Sequence, residues 1–108
     1  MMSISMYDAN DFVENVTIEN VKYKLHFGWN GTTWSMDIRD SEGTNILNNI
    51  VLVPNFPLLL QYQRHIDIRG QILAIRNDDI QTIGRDDFTS GKATLIYMSE
   101  EDIANAVA

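Results

Sequence analysis

Cysteine is absent from the 108-residue chain. That absence excludes disulfides, thiolate zinc sites, iron–sulfur clusters and cysteine nucleophiles together, and it fits folding in a reducing compartment. Basic residues are scarce: 8 Lys and Arg stand against 15 Asp and Glu, a net charge of −7. Phosphate backbones require clustered cations, whereas these are scattered among acids, so no nucleic-acid partner is expected. The acidity keeps a free domain soluble and steers it toward a basic partner. With only 2 histidines there is no His-rich metal centre; His65 and Asp67 read as a surface pair, and neither a metal nor another cofactor is expected. Long apolar runs are missing too. The longest, NNIVLVPNFPLLLQY, is interrupted by Pro54 and Pro57 and falls short of the ~20 residues of a membrane span, so no membrane partner is expected. The opening MMSISMYDAN has no basic region followed by an apolar one, so no secretory signal is expected. The glycosylation patterns at Asn15 and Asn30 are then coincidental.

What the chain does have is alternation. In VKYKLHFGWN, Val21, Tyr23, Leu25, Phe27 and Trp29 share one face, and Lys22, Lys24, His26 and Gly28 the other. A helix would scatter those apolar residues around its circumference, so this is a strand. Upstream, Phe12, Glu14, Val16 and Ile18 share a face, and Glu19-Asn20 supplies a two-residue connection. Downstream, Asn30-Gly31 signals a hairpin because both residues accept positive φ. Trp34, Met36 and Ile38 then occupy one face, opposite Ser35, Asp37 and Arg39, before a turn at Asp40 to Gly43. A fourth strand is expected over Ile46 to Val53, so continuously apolar that both its faces would be buried. Pro54 ends it, and Pro57 opens a helical turn or two over Leu58 to Tyr62. GQILAIRN and ATLIYMS read as further strands. Between them lies a polar loop anchored by Ile80, Ile83 and Phe88. Ser99 and Asp102 form a capping-box pattern for a short C-terminal helix over 99–108, and residues 1–10 read as a flexible arm. The expectation is one mostly β domain over 1–108, a small antiparallel sandwich or barrel-like fold with one or two short helical segments.

Recognisable catalytic chemistry is wanting. Counting back from Gly43 puts Ile38 at the first ligand position of a calcium loop, where an oxygen donor is required. SGKAT lacks both the hydroxyl residue after Lys92 and the earlier glycine of a phosphate loop. No serine lies in a nucleophile-elbow context. Asp78, Asp79, Asp86 and Asp87 offer paired carboxylates of the type used by glycosidases, but adjacent loop acids are usually only solvated, and no enzyme activity is expected. The 2 tryptophans allow two readings. Trp29 is in phase with Phe27 and Leu25, and Trp34 with Met36 and Ile38, which favours a core over a glycan-binding platform. A small ligand- or glycan-binding β module remains the alternative.

The ordered motifs resemble the small baseplate plug proteins of contractile-tailed bacteriophages. They are Trp29-Asn30, Trp34 with Met36-Asp37-Ile38, Asp40 with Gly43, Leu52 with Pro54, and Leu59-Leu60 before Tyr62, followed by RDDFTSGKATLIYMSEED. The resemblance covers roughly Tyr23 to Glu101. The chain departs from it at Asn55, where the family has glycine, and at Pro57 and Leu58, where the family is polar; Asn is the next best residue for positive φ. The resemblance implies a virion structural protein without catalysis, assembled in the host cytoplasm. Its partners would be other baseplate proteins (hub, tail-tube or tube-initiating proteins), with several copies around the tail axis. Shape complementarity and exposed strand edges would make the contacts.

Overall fold

Alternating apolar residues bury one face of each strand, and two such faces stack. In the computed structural model, which describes residues 2–62 and 64–107, seven strands and one α-helix are formed: β1 (Met2–Ile4), β2 (Asp11–Ile18), β3 (Val21–Trp29), β4 (Trp34–Asp40), β5 (Asn45–Val51), β6 (Gln71–Arg76), β7 (Ala93–Met98) and α1 (Glu100–Val107). One antiparallel sheet has the order β2-β3-β4-β5 and the other β1-β7-β6. Tyr23, Leu25, Phe27, Trp34, Met36 and Ile38 of the first sheet join Ile72, Ala74, Leu95 and Tyr97 of the second in one core. The fold is the expected small antiparallel sandwich.

Each hairpin has a local cause. Glu19 and Asn20 adopt φ of 54° and 67°, the paired left-handed conformation of a tight hairpin turn. The Asn30-Gly31 connection differs from the simple two-residue turn expected. It is a loop over 30–33 in which only Gly31 has positive φ. The Asn30 carboxamide oxygen accepts the amides of Thr32 and Thr33 at 2.9 and 2.8 Å, so the side chain replaces the second left-handed residue. At the next turn Asp40 Oδ1 accepts the amides of Glu42 and Thr44, both at 2.9 Å, and Gly43 supplies φ of 90°.

The fourth strand corrects the sequence expectation. It ends at Val51 and is not buried on both faces: Leu47 and Ile50 face the core, while Asn48, Asn49 and Val51 are exposed. The strand lies at the sheet's edge, and its pairing with β4 shifts register between Met36 and Ile38. The extra residue is accommodated at Asn49, whose φ is 58°, and this bulge explains why buried positions fall three apart. Other departures are smaller. The helical turn after Pro57 is a single 3-10 turn over Leu60–Tyr62. Ile80 is half exposed and anchors nothing, unlike Ile83 and Phe88. Within the stretch read as an arm, Met2–Ile4 pairs with β7 and Ile4 is buried. The capping box forms, with Ser99 Oγ accepting the Asp102 amide at 3.1 Å and Asp102 accepting that of Ser99 at 3.2 Å.

Candidate partner surface

Most residues that carried the motif pattern lie inward or close turns. Trp34 is 1% exposed, and its indole N–H donates to the Gly84 carbonyl at 3.3 Å. Trp29, its cross-strand neighbour, packs on it with ring centroids 5.6 Å apart, and the Arg85 guanidinium covers the Trp34 ring at 5.6 Å. Asn30, Asp40 and Gly43 shape the turns already described. Asp37 holds the β5 bulge, because its Oδ1 accepts the Asn49 amide at 2.8 Å. Burial pushes the Asp37 carboxyl up, but the Asn49 amide and His26 outweigh it and leave the pKa below the ordinary value.

Pro54, Leu59 and Tyr62 belong to the crossing from one sheet to the other. Pro54 forms a parallel bridge with Ala74 of β6. Asn55 adopts φ of 60°, as expected of a glycine substitute, donates its amide to Ala74 O at 2.7 Å, and exchanges side-chain hydrogen bonds with the Arg76 backbone at 2.8 and 3.1 Å. Leu59 is fully buried, with its amide on Gln71 Oε1 at 3.1 Å. Tyr62 is half-buried and closes the 3-10 turn onto Leu59. The crossing thereby covers the free edge of β6.

Two polar clusters were not read from the sequence. Arg76, 5% exposed, donates to Asp78 at 2.5 and 3.0 Å, to the Thr82 carbonyl at 3.3 Å and to Asp87. Asp87 also accepts the Gly84 amide at 2.6 Å. Burial raises the Asp87 pKa, while Gly84 and Arg76 bring it below the ordinary range. Asp78 and Asp87 are therefore not simply solvated acids. A carboxyl held ionised in this way is also unsuited to donating a proton as a glycosidase acid. The second cluster centres on Glu19, which accepts the amides of Arg69 and Gly70 at 2.9 Å and the Tyr97 hydroxyl at 2.5 Å, joining the β2–β3 turn to the opposite sheet. His26, on the outer face of β3, bridges Asp37 at 2.9 Å and Asp11 at 2.8 Å. His65 and Asp67 show no ion pair among the described residues.

What the motifs leave on the outside is an apolar strip. Val51, Val53, Phe56 and Leu60 are 47%, 38%, 48% and 57% exposed. Val51, Val53 and Phe56 border a groove of about 220 Å³ with Asn49, Gln61 and Tyr62. No charged residue occurs between Glu42 and Arg64, so the strip is neutral in an otherwise acidic molecule. Edge strands normally carry charge or proline as protection; here the Asn49 bulge interrupts strand addition, and the side chains beyond it remain open for packing. The signal was present in the sequence as this uncharged run, but there it read as a doubly buried strand.

Among the described residues no helix is long and apolar enough to cross a membrane. No curated protein matches the chain. A family model described as cyanophage baseplate Pam3 plug gp18 matches residues 1–101, which include all seven strands, and the chain belongs to that phage baseplate plug family.

Proposed function

We propose that this chain is a non-catalytic structural component of the tail baseplate. It sits among hub, tail-tube or tube-initiating proteins, with several copies around the tail axis, and grips a neighbouring baseplate protein through its neutral strip. The observation that carries this reading is the exposed apolar group of Val51, Val53 and Phe56 around one groove, on a chain of the plug family. Burying such side chains contributes about 1.5–3 kcal/mol each, and an uncharged rim adds little desolvation cost. The rigid sandwich presents the group; the family-pattern residues hold the turns and the crossing that frame it.

The test is co-expression with the adjacent tail proteins followed by affinity capture. Capture of a hub or tube protein by the parent, weakened in Val51→Lys and Phe56→Glu, is expected; no association with any tail protein would sink the reading. Glycan binding through Trp29 and Trp34 is opposed by the burial of Trp34, and titration of tryptophan fluorescence against a glycan panel separates the two readings.

A further inference from the structure

Three of the 8 basic residues, Lys22, Lys24 and Arg39, lie together on the outer face of the β2–β5 sheet. Lys24 stands directly opposite Arg39 in the β3–β4 register. Like charges directly opposed destabilise a strand pair, so the fold itself gains nothing from this arrangement. Arg39 is partly neutralised by Asp37 at 3.8 Å and donates to Asn45 at 3.0 Å. Among the described residues neither Lys22 nor Lys24 has an ion-pair partner. The two lysines border a cavity of about 330 Å³ with Asn15, Thr17 and Ser41. On this face the Asp37 carboxylate is taken up by His26 and the Asn49 amide; in the turn that follows β4, Asp40 is occupied by its own turn amides and Glu42 is exposed.

The complementary surface is on the same chain but on the other layer. Glu100 and Glu101 open α1, which follows β7; both are exposed and neither has an ion-pair partner among the described residues. Because the lysine face belongs to one layer and α1 to the other, each copy displays both an unpaired basic patch and an unpaired acidic one. We infer that these patches meet between copies: Lys22 and Lys24 of one chain dock Glu100 and Glu101 of a second copy. This deepens the baseplate reading and rests on its premise that several copies stand together. Charge complementarity of this kind fixes orientation and excludes wrong partners, and it explains why an acidic chain keeps a costly pair of cations face to face. The strip at Val51 is left free for a different protein.

The experiment is sedimentation velocity of the purified chain at low and high salt, with charge swaps. The parent should associate reversibly at low salt and less at high salt. Lys22→Glu with Lys24→Glu, and separately Glu100→Lys with Glu101→Lys, should each weaken association at least about ten-fold. Mixing the two variants should restore it, because each then supplies the patch the other needs. The Lys24→Glu change places opposite charges across β3 and β4, so its melting temperature should match or exceed the parent's, which separates lost docking from lost folding. A parent monomeric at every concentration and salt, or a mixture that fails to reassociate, overturns this contact. If such a mixture fails while the parent still captures tail proteins, only the copy-to-copy contact is lost; loss of both removes the baseplate reading as well.

Discussion

In the β2-β3-β4-β5 sheet every neighbour in space is a neighbour in sequence, whereas in the β1-β7-β6 sheet the central strand pairs with a strand from the opposite end of the chain. The first sheet closes by short turns whose chemistry is local: left-handed Glu19 and Asn20, the Asn30 carboxamide, the Asp40 carboxylate. The second must bring distant segments together, which costs loop-closure entropy before any contact forms. Polar clamps compensate there. Glu19 reaches across to Arg69, Gly70 and Tyr97, and Arg76 gathers the loop that ends over Trp34. The proposed contact surfaces divide the same way: the local sheet carries the basic face and the bulged edge, while the long-range sheet carries the acidic helix.

Breaking the core that both sheets share should have the largest effect. Trp34→Ala removes the side chain on which Trp29, Gly84 and Arg85 converge, and should lower unfolding free energy by about 3–5 kcal/mol in chemical denaturation. A Trp34 variant as stable as the parent would remove the ring from the core. Next is Gly70→Ala, which crowds the start of β6 against β7 beside the Glu19 clamp. An added Cβ at Gly70 would run into the Met98 carbonyl and the Tyr97 ring, and overpacking of this kind costs about 1–3 kcal/mol. Hydrogen exchange should then show lost protection in β6 and β7 before β3 and β4.

The Glu19 clamp gives a smaller, pH-dependent effect. Burial raises its pKa, but the Tyr97 hydroxyl and the Arg69 and Gly70 amides outweigh this, and the folded value lies below the ordinary one. Its stabilisation is therefore complete above the unfolded value of about 4.3 and is lost as pH falls through the depressed folded value. Glu19→Gln should flatten this acid limb of a stability profile. His26 should give the smallest change. Its hydrogen bond to Asp37 raises its pKa above 6.5, against burial and with help from Asp11. Its contribution is present in full below the unfolded value and is lost as pH rises through the raised folded one. His26→Gln should remove that alkaline loss, confined to the local sheet.

Legibility follows the same division. Strands β2, β3 and β4 were readable because one face is wet and the side-chain period is two. The turns were readable because Asn, Asp and Gly act within a few residues of themselves. The edge position of β5 was not, since an uncharged apolar run looks alike whether it is buried on both faces or left bare at an edge. Pairing of β1 with β7 has no local signature in three residues. The clamps at Glu19 and Arg76 were also invisible, because their partners lie far along the chain or in a loop whose acids look solvated. The motif residues identified the scaffold; the surfaces proposed to act lie beside them.

A sandwich that is a built-in part of the baseplate must be present in the assembled tail. Cryo-electron microscopy of purified particles of the phage that encodes it tests this most directly. Density for the sandwich is expected at the centre of the baseplate, on the tail axis, with the Val51–Phe56 strip covered by a neighbouring tail protein. Particles with complete baseplates that lack this chain, with mass spectrometry finding none of its peptides, would contradict it.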